Sequence, residues 1–275
     1  MSVNNILFYD PEEVFAINED MLLEVVTTVE GSTVLYIDNF YKNPELVENL
    51  ILRTPFSNNT SMFTSAYNGY RIYMEAVIQN KEFFVKITNI INNAFDLTSI
   101  LKPNELLLTP KRSLVANLYT GDINKTNLNR NNMPHSDPAI ISALVYFDND
   151  PTMGTALYKH KESGTMYVPD NSEQFKLVSS ILDEELVKVT NDTIAYKNHS
   201  ETFTVDDIDD MSVSKSNNFE VTHIVTPKYN RLVAFVSCAL HAPIVDYVKL
   251  SKNNTHRLNQ VLFLHNSETL KRGGR

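Results

Sequence analysis

The stretch MPHSDPAIISALVYFDND, residues 133 to 150, decides how the chain is read. Its second half, AIISALVYFDND (139–150), is a short apolar run closed by turn formers, the pattern of a β-strand. Its first half sets His135 and Asp137 two positions apart, between Pro134 and Pro138. A proline turns the residue before it away from helical backbone. On an extended segment, side chains at i and i+2 project from the same face. Two imidazoles and one carboxylate form the facial ligand set of non-haem Fe(II) sites, which leaves positions open for a co-substrate and dioxygen. If the segment is extended, His135 and Asp137 match two of the three and the third has to arrive from a distant strand; by itself a His-x-Asp is equally two polar residues of an Asn-rich loop. A second pair of the same form, His199 and Glu201 in NHSET, lies in a polar stretch with no apolar strand beside it. Ligands need rigid support, which favours 135 and 137.

Outward from this stretch the same texture repeats. The runs SLVANLYTGD (113–122), TALYKHKES (155–163), FEVTHIVTP (219–227), RLVAFVSCALHAP (231–243) and RLNQVLFLHN (257–266) are short, apolar or alternating, and separated by turn residues. Such a series predicts a β-sandwich or small barrel. Between the runs at 155–163 and 219–227 lies an insertion, 165–218, with a helical segment at 172–190 and then an acidic polar stretch, and it reads as a lid or a solvated excursion. The first third differs. STVLYIDNFY (32–41) reads as a strand. NPELVENLILRT (43–54) reads as a helix, with Asn43 as N-cap, Pro44 in the first turn and an apolar stripe of Leu46, Val47, Leu50 and Ile51. NKEFFVKITNIINNAFDL (80–97) is a second amphipathic helix. The expectation is one α+β domain over 1–275: an N-terminal α/β support, 1–110, and a β core, 111–266, carrying the insertion.

Composition narrows the function. With 275 residues the chain can bury a sizeable core. Its 43% hydrophobic and 21% charged residues are ordinary globular usage. A formal net charge of −9 disfavours sequence-independent nucleic-acid binding. The single cysteine, Cys238, excludes a disulfide framework or Cys-rich zinc site and fits a reducing compartment. Its apolar surroundings suggest a buried, inert thiol. The opening MSVNNILFYDPEEVF lacks the basic and apolar regions of a signal peptide, and no stretch is long enough for a membrane span. A cytoplasmic protein with no membrane partner is expected.

Taken together, NLYTGD, MPHSDPAIISALVYFDND, MGTALYKH, NRLVAFVSCALHAP and RLNQVLFLHN resemble the 2-oxoglutarate/Fe(II)-dependent dioxygenases of the prolyl-hydroxylase type. IDNFYKNPELVENLI is similar to the segment that leads into the barrel in these enzymes. The resemblance implies a double-stranded β-helix, or jelly roll. It implies Fe(II), 2-oxoglutarate and O2 as cofactor and co-substrates, with ascorbate as an optional reductant. The reaction implied is hydroxylation of a peptidyl residue such as proline, or of a small molecule, with release of succinate and CO2. By the same resemblance His135, Asp137 and His241 are the metal ligands. Arg257 is the partner of the far carboxylate of 2-oxoglutarate, and Tyr119 is an aromatic that hydrogen-bonds the co-substrate. A planar, permanently charged guanidinium suits the carboxylate role. Three features depart from the family pattern, the first being the 104 residues from Asp137 to His241, longer than usual because of the 165–218 insertion. Met153 stands where a first glycine is usual, and the segment from His241 to Arg257 is longer than usual. The extra residues, YVKLSKNNTH, suggest a longer hairpin whose turn carries Lys249 and Lys252 as rival clamps.

The alternative is a non-enzymatic jelly-roll module that binds a ligand or partner, with a degenerate metal site. The remaining histidines, His160, His223, His256 and His265, read as satisfied polar residues on strands, Arg231 as a surface pair, and the KRGGR tail (271–275) as frayed.

Overall fold

A computed structural model of the chain describes residues 9–54, 70–74, 80–95, 114–120, 134, 136–137, 139–150, 153–161, 163–167 and 219–265. The strands are β1 (Leu22–Thr27), β2 (Thr33–Asp38), β3 (Tyr70–Tyr73), β4 (Leu114–Thr120), β5 (Ile141–Tyr146), β6 (Thr155–His160), β7 (Phe219–Val225), β8 (Arg231–Val236), β9 (His241–Pro243) and β10 (His256–Leu264). The helices are α1 (Pro11–Val14), α2 (Pro44–Arg53), α3 (Lys81–Phe95) and α4 (Tyr247–Asn253). One sheet has seven strands in the order β1-β2-β8-β5-β10-β4-β3, and a second has three in the order β7-β6-β9. All the pairings are antiparallel. The two sheets pack face to face as a β-sandwich, with β1, β2 and β3 of the first third extending the sheet built by the later strands.

The sequence ISALVY shows why β5 lies at the centre. Ile141, Ala143 and Val145 face one way, into an apolar cluster with α2 and α3. Leu144 and Tyr146 face the other way and meet Leu157 of β6 and Val225 of β7. Both faces are buried, so the strand reads as a continuous apolar run. On α2 the residues Val47, Leu50 and Ile51 are buried, and on α3 Phe83, Ile87 and Ile91 are buried, each at helical spacing. Fully burying such a side chain contributes about 1.5–3 kcal/mol. Asn80 caps α3, its Oδ1 accepting from the Phe83 N–H at 3.0 Å. The cap expected of Asn43 is not made; its side chain donates to the Glu13 carbonyl instead, at 3.4 Å. Among the described residues no helix is long and apolar enough to cross a membrane.

Two elements differ from expectation in ways that place the site. The run RLVAFVSCALHAP is not one strand. It is β8, a turn at Ser237 and Cys238, and then β9, so the chain leaves the large sheet at this corner and enters the small one. The expected hairpin at 247–256 is helix α4. Asp246 caps it, its side chain accepting from the Lys249 N–H at 2.8 Å, and Asn254 ends it in the left-handed region at φ 50°. The first residues of the supposed insertion belong to the core: the His160 N–H donates to the Thr165 carbonyl, the Leu240 N–H to the Met166 carbonyl, and Tyr167 bridges Ala239. The expected helix at 172–190 lies outside the described residues, as do His199, Glu201 and the tail 271–275. Gly154, just before β6, needs its lack of a side chain. A Cβ there would fall 2.1 Å from the Val225 carbonyl oxygen.

Candidate active site between the sheets

The corner after β8 and the segment before β5 bring Asp137 and His241 together. The Asp137 N–H donates to the Ser237 carbonyl at 2.9 Å, which ties the loop before β5 to the corner. His241, the first residue of β9, points back across the sandwich. Its Nε2 lies 3.1 Å from Asp137 Oδ2. Its Nδ1 lies 2.8 Å from the Ala239 carbonyl. A carbonyl oxygen only accepts, so Nδ1 carries the proton and Nε2 is the nitrogen turned to the carboxylate. Phe235 meets the imidazole edge-on with ring centroids 5.0 Å apart. Burial pushes the His241 pKa down, but the Asp137 charge, its hydrogen bond and the Ala239 carbonyl outweigh that and hold it above the ordinary value. With Nδ1 already protonated, a neutral Nε2 would set a lone pair against a carboxylate oxygen. A cation has to lie between them, either a proton or a metal ion.

The hydroxyls of two buried serines continue from the carboxylate. Ser142 Oγ donates to Asp137 Oδ2 at 3.0 Å, and Ser142 Oγ and Ser237 Oγ lie 2.8 Å apart. His265, just past the end of β10, is also buried and feels the Asp137 charge, and its Nδ1 has no hydrogen-bond partner. His135 lies outside the described residues.

The other end of the interior is built around Arg257. This residue is 0% exposed. Its Nε donates to the Met153 carbonyl at 2.7 Å and its Nη2 to the Gly154 carbonyl at 3.1 Å. Its guanidinium carbon lies 4.9 Å from the ring centroid of Tyr119 on β4 and 5.7 Å from that of Tyr146 on β5. Tyr146 OH in turn lies 2.8 Å from Thr155 Oγ1 on β6. The guanidinium stays charged at any relevant pH, and a buried charge costs several kcal/mol unless it is compensated. Two carbonyls and two aromatic faces contribute to that compensation. Asp148 lies close by. Burial pushes its carboxyl up to about 6 against the opposing pull of Arg257, and its Oδ2 is buried with no hydrogen-bond partner. On the small sheet His241 pairs with Leu157 and Pro243 with Thr155, so the level of Gly154 is three residues from that of His241. At about 3.3 Å per residue the two ends stand about 10 Å apart along β6.

The rival lysines are elsewhere. Lys249 on α4 reaches Asp150 at 2.6 Å, and Lys252 is exposed on the same helix. Arg231 makes the expected surface pair, two-pronged, with Nε and Nη2 on the two oxygens of Asp38 at 2.6 and 3.1 Å. His223 is not isolated, since its Nε2 meets Tyr36 OH at 2.8 Å across the sandwich. The sequence reading missed Ser142, Ser237, Tyr146 and Asp148, and it took His265 for a satisfied polar residue, whereas the His265 Nδ1 is buried with no hydrogen-bond partner. A hydroxyl on the inward face of an apolar strand, as at Ser142, was the one signal available.

No curated protein matches the chain. Among solved structures, HygX from Streptomyces hygroscopicus, with nickel and 2-oxoglutarate bound, is similar at 10% identity and TM-score 0.41, over 88% of this chain and 84% of that one. SnoN, a non-heme alpha-ketoglutarate-dependent epimerase from nogalamycin biosynthesis, is similar at 11% identity and TM-score 0.41, over 85% and 76%. An N-substituted L-amino acid dioxygenase from Burkholderia ambifaria is similar at 11% identity and TM-score 0.35, over 86% and 83%. A family model matches residues 19–264, nearly the whole chain, and the protein belongs to that family, DUF6445, a family of unknown function.

Proposed function

We propose that the protein is an Fe(II)- and 2-oxoglutarate-dependent dioxygenase with a jelly-roll core. It would hydroxylate a peptidyl residue such as proline, or a small molecule, and release succinate and CO2. The observation that carries this reading is the pairing of two sites in one interior. A carboxylate and an imidazole converge on a point that needs a cation, and about 10 Å away along the strand a guanidinium is fully buried, its fork held by two carbonyls. A dicarboxylate co-substrate joins two such sites. The donor set fits ferrous iron: Asp137 and His241 with His135, two neutral imidazoles and one carboxylate. Ferrous iron and 2-oxoglutarate, when bound, supply the activation of dioxygen.

The remaining roles belong to the chain. The Ala239 carbonyl holds the His241 tautomer that presents Nε2. Arg257 pairs with the 5-carboxylate, and the Met153 and Gly154 carbonyls hold its fork in place. Tyr119 orients the guanidinium through the face of its ring, and its hydroxyl is offered to the co-substrate. The test is direct. Purified protein with Fe(II) should consume 2-oxoglutarate and form succinate under air but not under nitrogen. Protein that binds no Mn(II), and shows no 2-oxoglutarate-dependent succinate, is a binding module instead.

A further inference from the structure

Ser142 lies on the inward face of β5, in a row completed by Val34, Phe235 and Phe263, so its hydroxyl stands among apolar side chains. Ser237, at the corner after β8, is equally enclosed; the two are 1% and 0% exposed. A hydroxyl left unpaired there would cost about 1–3 kcal/mol. The pair is satisfied in one way only. A serine has a single proton to give, and an ionised carboxylate can only accept. Ser142 therefore gives its proton to Asp137 Oδ2, 3.0 Å away, and the proton shared between the serines, 2.8 Å apart, comes from Ser237. Ser237 also accepts the Asp137 N–H through its backbone carbonyl, at 2.9 Å. One residue thus holds the Asp137 main chain directly and its side chain through a neighbour.

We propose that Ser237 and Ser142 form a directed hydroxyl relay that sets the Asp137 carboxylate for metal binding. Ser142 positions the carboxylate by contact, and Ser237 acts through Ser142. The inference rests on the metal site proposed above and names residues that the site's ligand set does not include. It accounts for two buried hydroxyls at the junction of β5 and β8, where the neighbouring rows are apolar. The relay also locks the rotamer of Asp137, because Oδ2 is held from one side by a hydroxyl and faced from the other by His241.

The test is titration of the full-length protein with Mn(II) and with Co(II). Ser142→Ala should weaken both by about 10–100-fold, the usual effect of losing a hydrogen bond to a metal ligand. Ser237→Ala keeps the backbone carbonyl and should lose less. The double variant should be no weaker than Ser142→Ala alone, because the Ser237 hydroxyl has no separate route to the carboxylate. Ser142→Thr keeps the hydroxyl and should recover affinity. The Co(II) absorption spectrum should change in Ser142→Ala and return in Ser142→Thr, whatever the order of the apo melting temperatures. Wild-type affinity in Ser142→Ala, or losses that add in the double variant, overturns the relay. If the wild type binds neither metal, the dioxygenase reading falls and the relay falls with it. If the wild type binds and the variants match it, only the relay falls.

Discussion

The two ends of the sandwich interior are built differently. Asp137 and His241 sit where the chain changes sheets, one in the loop before β5 and one at the first residue of β9. They are held by backbone carbonyls of the corner after β8 and by the Ser142 hydroxyl near the start of β5. Arg257 sits inside the register of β10, opposite Tyr119 of β4, with aromatic faces around it. The first end is assembled from pieces that meet only when both sheets are in place. The second is part of the sheet itself. The geometry of Asp137 and His241 at the first end therefore depends on a few hydrogen bonds, while the charge at the second depends on burial.

The largest expected effect lies at the first end. His241→Ala should abolish stoichiometric Mn(II) binding measured by calorimetry, since the remaining donors cannot hold the ion against water. Wild-type binding in that variant would dissolve the first end as a metal site. The next effect should appear at the second end alone. Arg257→Ala leaves a buried carboxylate unpaired, at a cost of about 3–5 kcal/mol, or roughly two to four decades in 2-oxoglutarate affinity. Mn(II) binding should survive, and Arg257→Lys should recover part of the loss, because a point charge replaces a fork. A variant that loses metal and 2-oxoglutarate together would show that the two ends are not separable.

A smaller effect concerns Asp148. Its folded-state carboxyl is raised from 3.8 to about 6, so the folded protein holds this proton more tightly than the unfolded chain does between those values. The stability of the protonated form is present below about pH 4 and is lost as pH rises through 6. Asp148→Asn stays neutral throughout and can keep the contact with the Asp150 N–H. It should be more stable than wild type at pH 7.5, on the order of 1–3 kcal/mol, and no more stable at pH 4, as read from denaturant melts. Equal gains at both pH values would remove the charge argument. The smallest effect is at α4. Lys249→Ala and Lys252→Ala should leave 2-oxoglutarate affinity unchanged, because Lys249 is committed to Asp150 in a surface pair worth about 0–1 kcal/mol. A large loss there would move the clamp from Arg257 to the helix.

The strands were legible because short apolar, β-branched and aromatic runs stand between turn residues. TVLYID, ISALVY and RLNQVLFL each read as a short apolar run bounded by turn residues, and the start of β10 already singled out Arg257. α4 was not legible. Seven residues span about two turns, too few for an apolar period to emerge, and its limits are set by the Asp246 cap and the left-handed Asn254. The split of 231–243 was hidden because Ser237 and Cys238 are not strong turn formers. The i, i+2 spacing singled out His135 and Asp137, and His241 was named only through the family resemblance. The serines could not be singled out, because nothing in a run such as IISALV marks one hydroxyl as facing a carboxylate. The same holds for Tyr146, an aromatic in an apolar strand whose ring covers a guanidinium.

Met153 and Gly154 divide between them what drift can and cannot change. Both lend Arg257 a carbonyl, and a carbonyl is written into every residue. Position 153 can therefore accept any side chain that fills its buried space, a methionine among them. Position 154 has no such latitude. Its carbonyl also receives the Ile244 N–H at 3.0 Å, and a Cβ would strike the Val225 carbonyl of β7. A saturation library across the pair, sorted for 2-oxoglutarate retention, should come back varied at the first position and nearly all glycine at the second.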